Sequence, residues 1–184
     1  MGFEKVTQLE DKVASFFGAP YAIATDSCTH AVELCLRYED PYEVTFPTHT
    51  YPSIPFLGSK LGLRWSWKEE EWVDYYQIGD TNVYDAAVLW KMGGYIPSTH
   101  MCLSFQFQKH LKIGRGGMIL TDNKEAFEIM SEMVYDGRNS RDIPWREQNI
   151  KTVGYHYYMT PEAAQTGLDK FPEAIQTEPK IWTD

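Results

Sequence analysis

The chain is organised around the stretch MCLSFQFQKHLKIGRGGMILTD, residues 101–122. Met101 to Phe105 is a short apolar run typical of a buried strand, and Met118 to Thr121 is a second one. Between them lie Lys109 and a glycine-rich turn. A lysine at the lip of a sheet loses water, which lowers the pKa of its amine and leaves it able to attack a carbonyl. The stretch therefore indicates a catalytic lysine, although a surface lysine in a hairpin fits the same pattern.

Length and composition favour one folded globular domain. The chain has 184 residues, of which 43% are hydrophobic and 15% aromatic, with a net charge of -9. The negative charge disfavours nucleic acid and anionic membranes as partners. Neither a bilayer-spanning apolar run nor a signal-peptide pattern is present. Cys28, Cys35 and Cys102 lack metal-ligand spacing, so we expect no metal. Cys28 and Cys35 lie seven residues apart on one predicted helix, too far to bridge, which favours a reducing cytoplasm.

Three further positions carry chemistry at the ends of predicted strands. Ser27 and Thr29 begin a helix directly after a strand, where hydroxyls and helix amides can bind phosphate, although capping of the helix alone explains them. Tyr51 follows the predicted strand Glu43–Phe46, where an aromatic ring suits either a flat ligand or the core. Asp85 ends a strand just before two alanines, and a simple turn aspartate is the alternative.

The lysine stretch resembles a known motif. Ser104-Phe105, Lys109 and Gly114-x-Gly116-Gly117 are similar to the lysine motif of the DegT/DnrJ/StrS-type sugar aminotransferases, which are enzymes of fold type I that depend on pyridoxal 5'-phosphate (PLP). In that family the lysine forms a Schiff base with PLP and a serine five residues earlier contacts the phosphate. The resemblance thus implies that Lys109 is catalytic and that Ser104 binds the cofactor.

Other motifs of the same family follow in the same order. Ser27-Cys28-Thr29 matches a phosphate-binding Ser-Gly-Thr, with Cys28 in place of the glycine. Tyr51 occupies the aromatic position of a Pro-x-x-Thr-aromatic motif, whose ring stacks on the cofactor. Asp85-Ala86-Ala87 resembles Glu-Asp-Ala-Ala, which makes Asp85 the carboxylate that keeps the pyridine nitrogen protonated.

The resemblance implies a fold and a domain organisation. We expect an α/β fold with a mostly parallel sheet flanked by helices, as in the aspartate aminotransferase-like large domain, and a site at the carboxyl ends of the strands. The segment 68–80 is acidic and aromatic and is predicted to be surface with one edge strand. Relatives insert further strand and helix units in this region, so the chain resembles a compacted version of them. We expect residues 1–184 to be a single compacted large domain without the small C-terminal domain.

The implied activity is transfer of an amino group to a keto-sugar, nucleotide-linked, by Schiff-base ping-pong chemistry, with a small amino donor as second substrate. Some relatives carry histidine instead of the lysine and catalyse dehydration, so Lys109 favours transamination. Two alternatives stay open: a PLP-binding protein with weak or no transaminase activity, and a non-catalytic interaction domain.

We also expect a homodimer. His156 stands where an asparagine of the family reaches the phosphate of the partner subunit, and the loop from Arg138 to Arg146 lies in a region that the family uses at its interface. Tyr155, Tyr157 and Tyr158 look exposed and would suit such an interface. The alternative is a monomer in which these tyrosines belong to the core.

Overall fold

A computed structural model of the protein describes residues 2–178, and within them the chain forms five α-helices and seven β-strands. The helices are α1 (Glu4–Phe17), α2 (Cys28–Glu39), α3 (Ser53–Leu61), α4 (Lys124–Val134) and α5 (Pro161–Ala174). The strands are β1 (Tyr21–Thr25), β2 (Glu43–Pro47), β3 (Arg64–Lys68), β4 (Tyr76–Gln77), β5 (Val83–Asp85), β6 (His100–Ser104) and β7 (Gly117–Thr121). None of the helices in this part of the chain is long and apolar enough to cross a membrane.

The main sheet is mixed. Its five strands follow the order β1-β7-β6-β5-β4, while β2 and β3 form a separate parallel pair. β5 and β6 run parallel, whereas β7 is antiparallel to β1 and β6, and β4 is antiparallel to β5. The predicted α/β fold is confirmed, but the prediction of a mostly parallel sheet is wrong. Residues 105–116 join β6 to β7 without a crossover helix, so the chain returns antiparallel to the strand it has left.

Strand direction brings the predicted site residues to one edge. Because β7 runs antiparallel to β1 and β6, the strands β1, β5 and β6 all point the same way. Gly117 at the start of β7 pairs with Thr25 on one side and with Ser104 on the other. Asp85 at the end of β5 pairs with Cys102. The carboxyl ends of β1, β5 and β6 therefore lie side by side.

Alternation along the strands builds a core on each face of the sheet. Met101 and Leu103 pack with α1 and α5, whereas Cys102 and Ile119 pack with α2 and α4. Side chains next to one another in sequence thus serve opposite layers. The helices that carry the candidate site residues lie on the second face.

Local hydrogen bonds fix the start of α2 and of α5. The Ser27 hydroxyl accepts from the His30 amide over 3.2 Å, and the Thr160 hydroxyl accepts from the Ala163 amide over 3.3 Å, with Pro161 in the first turn. The Ser27 cap confirms the helix start that was predicted there from the hydroxyl residues.

Glu33 ties α2 to its surroundings by charge. Its side chain is fully buried and lies 2.7 Å from Arg37 and 2.7 Å from Lys60 of α3. The Tyr157 hydroxyl donates to it over 3.2 Å. Burial alone would raise the pKa of Glu33, but hydrogen bonds from Lys60 and Arg37 outweigh it and lower that pKa.

The outer edge of β1 is covered by polar groups of the same chain. The buried Glu10 of α1 accepts from the Ala24 amide over 2.9 Å and from the Arg141 guanidinium over 3.1 Å. The Asp26 amide donates to the Tyr157 carbonyl over 2.7 Å. These bonds satisfy the amide of Ala24 in β1 and that of Asp26 directly after the strand.

Candidate active site

A cavity of about 280 Å³ opens at the carboxyl ends of β1, β5 and β6. Its volume is close to the lower end of small-molecule sites, roughly 300 Å³. Apart from His156, every residue predicted to bind the cofactor lines it: Ser27, Cys28, Thr29, Tyr51, Asp85, Ser104 and Lys109. The structure therefore brings together residues that are dispersed along the sequence.

One end of the cavity suits an anionic group. α2 starts at Cys28 with Ser27 as its N-cap, so the partial positive charge of the helix N-terminus lies at this end of the cavity. Gly117 packs against it so closely that a Cβ atom there would lie 2.5 Å from the Cys28 nitrogen. Ser104 is paired with Gly117 and completes a cluster of hydroxyl groups with Ser27 and Thr29. The Thr29 hydroxyl is held by Ser53 over 2.7 Å.

Asp26 brings a negative charge to the same end, and two basic side chains face it. Its Oδ2 accepts from Arg115 over 2.9 Å, and its Oδ1 lies 2.5 Å from His30 Nδ1. Arg115 lines the cavity but was missed by the sequence reasoning, although it lies inside the Gly-x-Gly-Gly turn of the lysine motif. The Asp26 carboxylate is thus paired with Arg115 and His30, and it also accepts from the Ser27 hydroxyl over 3.2 Å.

Asp85 is a buried carboxylate with several donors. Its Oδ2 accepts from the Tyr76 hydroxyl over 2.7 Å, and its Oδ1 accepts from the Ala87 amide over 2.9 Å. Burial raises the pKa of Asp85, whereas these two bonds and the charge of Lys109 oppose the rise. Such a carboxylate gains from a cationic partner in the cavity.

Tyr76 was missed by the sequence reasoning. The segment 68–80 was predicted to be surface with one edge strand, and β4 is indeed a short edge strand. Tyr76 within it is nevertheless buried, with 3% of its surface exposed. Its pairing with Asp85 in the β4–β5 register explains the burial. Its neighbour Tyr75 packs against the core on the opposite face of the sheet, so alternation along the strand does not distinguish the two tyrosines.

Lys109 lies on the turn after β6, half-buried at the cavity. Its amide donates to the Gln106 carbonyl over 2.9 Å, which fixes the turn. Burial lowers the pKa of the Lys109 amine, while Cys28 and Asp85 act in the opposite direction. The adjacent His110 instead stacks on Trp90, with ring centroids 6.2 Å apart.

Cys28 presents a thiol where the resembling motif has glycine. Its Sγ donates to the Cys102 carbonyl over 3.4 Å and lies 3.9 Å from Asp85 Oδ1. Burial and the Asp85 charge raise the pKa of Cys28 well above its ordinary value, which keeps the thiol neutral. Cys28 therefore adds an uncharged wall to the cavity beside the carboxylate.

Tyr51 lies at the rim of the cavity with 74% of its surface exposed. A ring in that position can cover a flat ligand that enters beneath it. Together with a half-buried amine, a buried carboxylate and hydroxyl groups at a helix N-terminus, it forms a set that fits PLP. Within residues 2–178, no cluster of His, Cys, Asp or Glu is suited to hold a metal ion.

The residues predicted to serve an interface lie elsewhere. His156 is 73% exposed in its side chain and contacts Asp136 over 3.1 Å. Arg138 donates to the Tyr135 hydroxyl and to the Ile143 carbonyl, and Arg141 pairs with Glu10. These two arginines are held within the chain.

The three tyrosines beside His156 are half-buried, and the expectation that they are exposed is wrong. Tyr157 stacks on His30 with centroids 3.6 Å apart and on Tyr155 with centroids 5.6 Å apart. Tyr158 packs edge-on against Phe3. Because these rings have partners in their own chain, they do not by themselves indicate a surface that awaits another subunit.

A comparison with protein families gives one match. The model of the DegT/DnrJ/EryC1/StrS aminotransferase family matches residues 1–60 and 90–182. Lys109, Ser104 and the start of α2 lie inside the matched ranges, whereas Asp85 and Tyr76 lie between them. Among curated proteins, none matches the chain.

Solved structures share the fold at low sequence identity. AtS13 from Actinomadura melliaura superposes with a TM-score of 0.80 at 19% identity, covering 94% of this chain and 60% of that one. A DegT DnrJ EryC1 StrS aminotransferase from Brucella abortus gives 0.76 at 15%, covering 94% and 59%. The E. coli GDP-4-keto-6-deoxy-D-mannose-3-dehydratase with bound hydrated PLP gives 0.73 at 16%, covering 92% and 60%. The chain thus spans about 60% of the length of these proteins.

Proposed function

The chain belongs to the DegT/DnrJ/EryC1/StrS aminotransferase family, and from this premise we propose that it is a PLP-dependent aminotransferase acting on a keto-sugar, nucleotide-linked. The observation that carries the proposal is the cavity in which Lys109 and Asp85 meet hydroxyl groups at the start of α2. An amine with a lowered pKa and a buried carboxylate are the groups that such chemistry needs.

PLP is the cofactor that the family and the solved structures indicate, and some of those structures carry it. When bound, PLP supplies an electron sink for a carbanion that forms on the substrate. The N-terminus of α2 with Ser27, Thr29 and Ser104 is the part of the cavity that would hold its phosphate. Tyr51 would cover its ring.

The chain's own groups then divide the remaining work. Asp85 would hold a proton on the ring nitrogen, because a buried carboxylate is stabilised by a cation beside it. Lys109 would attach the cofactor and afterwards move a proton to and from the substrate, since its lowered pKa leaves the amine able to act as a base. Burial of Asp85 and Cys28 limits the access of water to that side of the cavity.

The choice of transamination over dehydration rests on Lys109. The structural neighbours include dehydratases as well as an aminotransferase, so the fold by itself serves both reactions. A lysine amine can form and release a covalent link to the cofactor, which a transaminase requires at each turnover. We propose a small amino donor as the second substrate.

A visible spectrum of the purified protein tests the proposal. The parent with added PLP is expected to be yellow, and borohydride should attach the mass of the cofactor to the peptide that contains Lys109. Lys109→Ala should lose both signals, whereas Lys112→Ala, which removes a neighbouring exposed lysine, should keep them. Label on another lysine, or none, would contradict the site. If the protein is labelled at Lys109 but does not transaminate keto-sugars, it is a PLP-binding protein without transaminase activity.

We further propose a homodimer in which the exposed His156 reaches the phosphate pocket of a partner subunit. A histidine can donate to phosphate from either ring nitrogen. The buried free thiols of Cys28, Cys35 and Cys102 fit a reducing compartment, and the cytoplasm is the predicted one. That residues 1–184 form one compacted large domain stays a prediction.

A further inference from the structure

A chain of hydrogen bonds reaches the Asp85 carboxylate from behind the cavity. The Tyr76 hydroxyl lies 2.7 Å from Asp85 Oδ2 and 2.5 Å from the Thr50 hydroxyl. Tyr76 is 3% exposed and Asp85 is 5% exposed, so water does not replace these bonds. Because an ionised carboxylate only accepts, Tyr76 donates to Asp85 and its oxygen is left to accept from Thr50.

The two oxygens of Asp85 are held from different directions. Oδ2 is held by Tyr76 of β4, and Oδ1 by the Ala87 amide, with the Cys28 thiol 3.9 Å away. The other titratable groups that act on this carboxylate are Lys109 on the turn after β6 and Cys102 of β6. Among the groups that oppose the effect of burial on the Asp85 pKa, the Tyr76 hydroxyl is the strongest.

The tyrosine is itself rigidly placed. Tyr76 stands directly opposite Asp85 in the β4–β5 register, and the Trp72 ring packs on it with centroids 4.8 Å apart. Thr50 immediately precedes Tyr51, so the hydrogen-bond chain links the loop with the rim tyrosine to the carboxylate. Tyr76 lies between the ranges that match the family, 1–60 and 90–182.

We propose that Tyr76 is a positioning residue for Asp85, and that its hydroxyl, aligned by Thr50, keeps the carboxylate charged and turned towards the cavity. The inference rests on the proposed function in one respect, the role of Asp85 towards the cofactor. Cooperative polarisation along the Thr50–Tyr76–Asp85 chain strengthens the last bond. A charged carboxylate at that position is what a protonated ring nitrogen would need.

The test is the titration of Asp85 in ligand-free protein, followed by carbon-detected NMR of the carboxyl groups and assigned by loss of the signal in Asp85→Asn. The hydrogen bond from Tyr76 stabilises the charged form of Asp85. Tyr76→Phe should therefore shift the Asp85 titration midpoint upward by about 1 to 2 pH units. The matched control is Tyr84→Phe, which removes a tyrosine hydroxyl from the neighbouring position of β5, on the other face of the strand. The control should leave the midpoint unchanged.

An unshifted Asp85 midpoint in folded Tyr76→Phe would overturn the proposal. If that variant does not fold, Thr50→Val decides, because it leaves the tyrosine in place and removes only the group that aligns it. Thr50→Val should give a smaller upward shift, and no shift at all would again overturn the proposal. Circular dichroism establishes that each variant is folded.

A second readout separates this inference from the proposed function. PLP should bind Tyr76→Phe more weakly than the parent at neutral pH, because a carboxylate that has lost its aligning donor is less well placed to pair with a protonated ring nitrogen. If the parent binds no PLP while Tyr76→Phe still shifts the Asp85 titration, the proposed function fails and the role of Tyr76 stands. If PLP attaches to Lys109 and the titration does not move, the function stands and the role of Tyr76 fails.

Discussion

A Cβ atom on Gly117 would lie 2.5 Å from the backbone nitrogen of Cys28. The start of β7 and the start of α2 therefore touch through their main chains, at the end of the cavity that suits a phosphate. Turning a side chain could not relieve this clash, because the atoms that the Cβ would meet are backbone atoms of Ser27 and Cys28.

We expect Gly117→Ala to destabilise the protein by about 2 kcal/mol or more, since overpacking against backbone forces strands and helix apart. The affinity of Gly117→Ala for the cofactor should also fall, because the substitution displaces the start of α2. The control is Gly116→Ala, whose Cβ would meet the flexible end of Met159 at 3.0 Å. Urea unfolding of both variants measures the difference, and equal stability of the two would contradict the close contact.

Asp85→Asn should retain some PLP but lose most of any turnover, because an amide cannot hold a proton on the ring nitrogen as a carboxylate does. The substitution also places an amide group against the Tyr76 hydroxyl and the Ala87 amide, which both donate to the carboxylate. Steady-state rates are the measurement, with the exposed Asp80→Asn as control. Turnover near that of the parent would remove Asp85 from its role.

In cofactor-free protein, Lys109 should react with an acylating reagent at a lower pH than an ordinary lysine. Burial lowers its pKa below 10.5, so the nucleophilic amine appears earlier as the pH rises. Asp85→Asn should shift the midpoint of labelling further down, because the carboxylate raises that pKa. Mass spectrometry of the labelled peptide over a pH series gives both midpoints. A midpoint at or above 10.5 would contradict the burial of the amine.

Glu33→Gln should lower the free energy of unfolding by about 2 kcal/mol at neutral pH, since it removes a buried charge from two basic partners. The pKa of Glu33 is lowered in the folded state, so its stabilising effect is present above the ordinary value of 4.5 and is lost as the pH falls through the folded value. Unfolding curves at several pH values should therefore converge in acid. Glu128→Gln, at an exposed pair with Lys124, is the matched control. If the difference in unfolding free energy between the parent and Glu33→Gln persists in acid, the loss is due to packing and not to charge.

Light scattering at micromolar concentration should show a dimer. Mixing Lys109→Ala with His156→Ala subunits should then restore one intact site per heterodimer, because each subunit supplies what the other lacks. The recovered signal is cofactor absorbance or activity. A monomer that still holds PLP would exclude a shared site, and mixed dimers without recovery would exclude His156 from acting across the interface.

The sequence predicted the elements well where apolar periodicity was strong. The bounds of β2, β6 and β7 differ by at most one residue from the strands predicted at Glu43–Phe46, Met101–Phe105 and Met118–Thr121. β6 begins earlier, at His100, since that side chain is buried beside the Thr121 hydroxyl over 3.0 Å and Glu39 over 3.2 Å. A histidine in a sequence is taken as polar and exposed, because the partners that allow it to be buried are not visible there.

Strand direction and the hidden donor to Asp85 could not be predicted. An apolar run indicates a buried strand but carries no direction, so the antiparallel return of β7 was not visible. Tyr76 lies among acidic residues that are exposed, and its burial depends on the register with β5, which a sequence does not state. The seven predicted residues around the cavity were found because each belongs to a motif, whereas Tyr76 belongs to none of these motifs and acts through geometry alone.

The polar cover on β1 bears on aggregation. An edge strand with unsatisfied amides is a template on which another chain can add a strand, leading to swapped or fibrillar assemblies. Here Glu10 accepts a hydrogen bond from the Ala24 amide, and the Tyr157 carbonyl accepts one from the Asp26 amide. Thr25 forms a β-bridge with Tyr158. Strand addition at β1 would first have to expel a buried carboxylate together with its arginine, so growth of the sheet past that edge is blocked by the chain's own N-terminal helix.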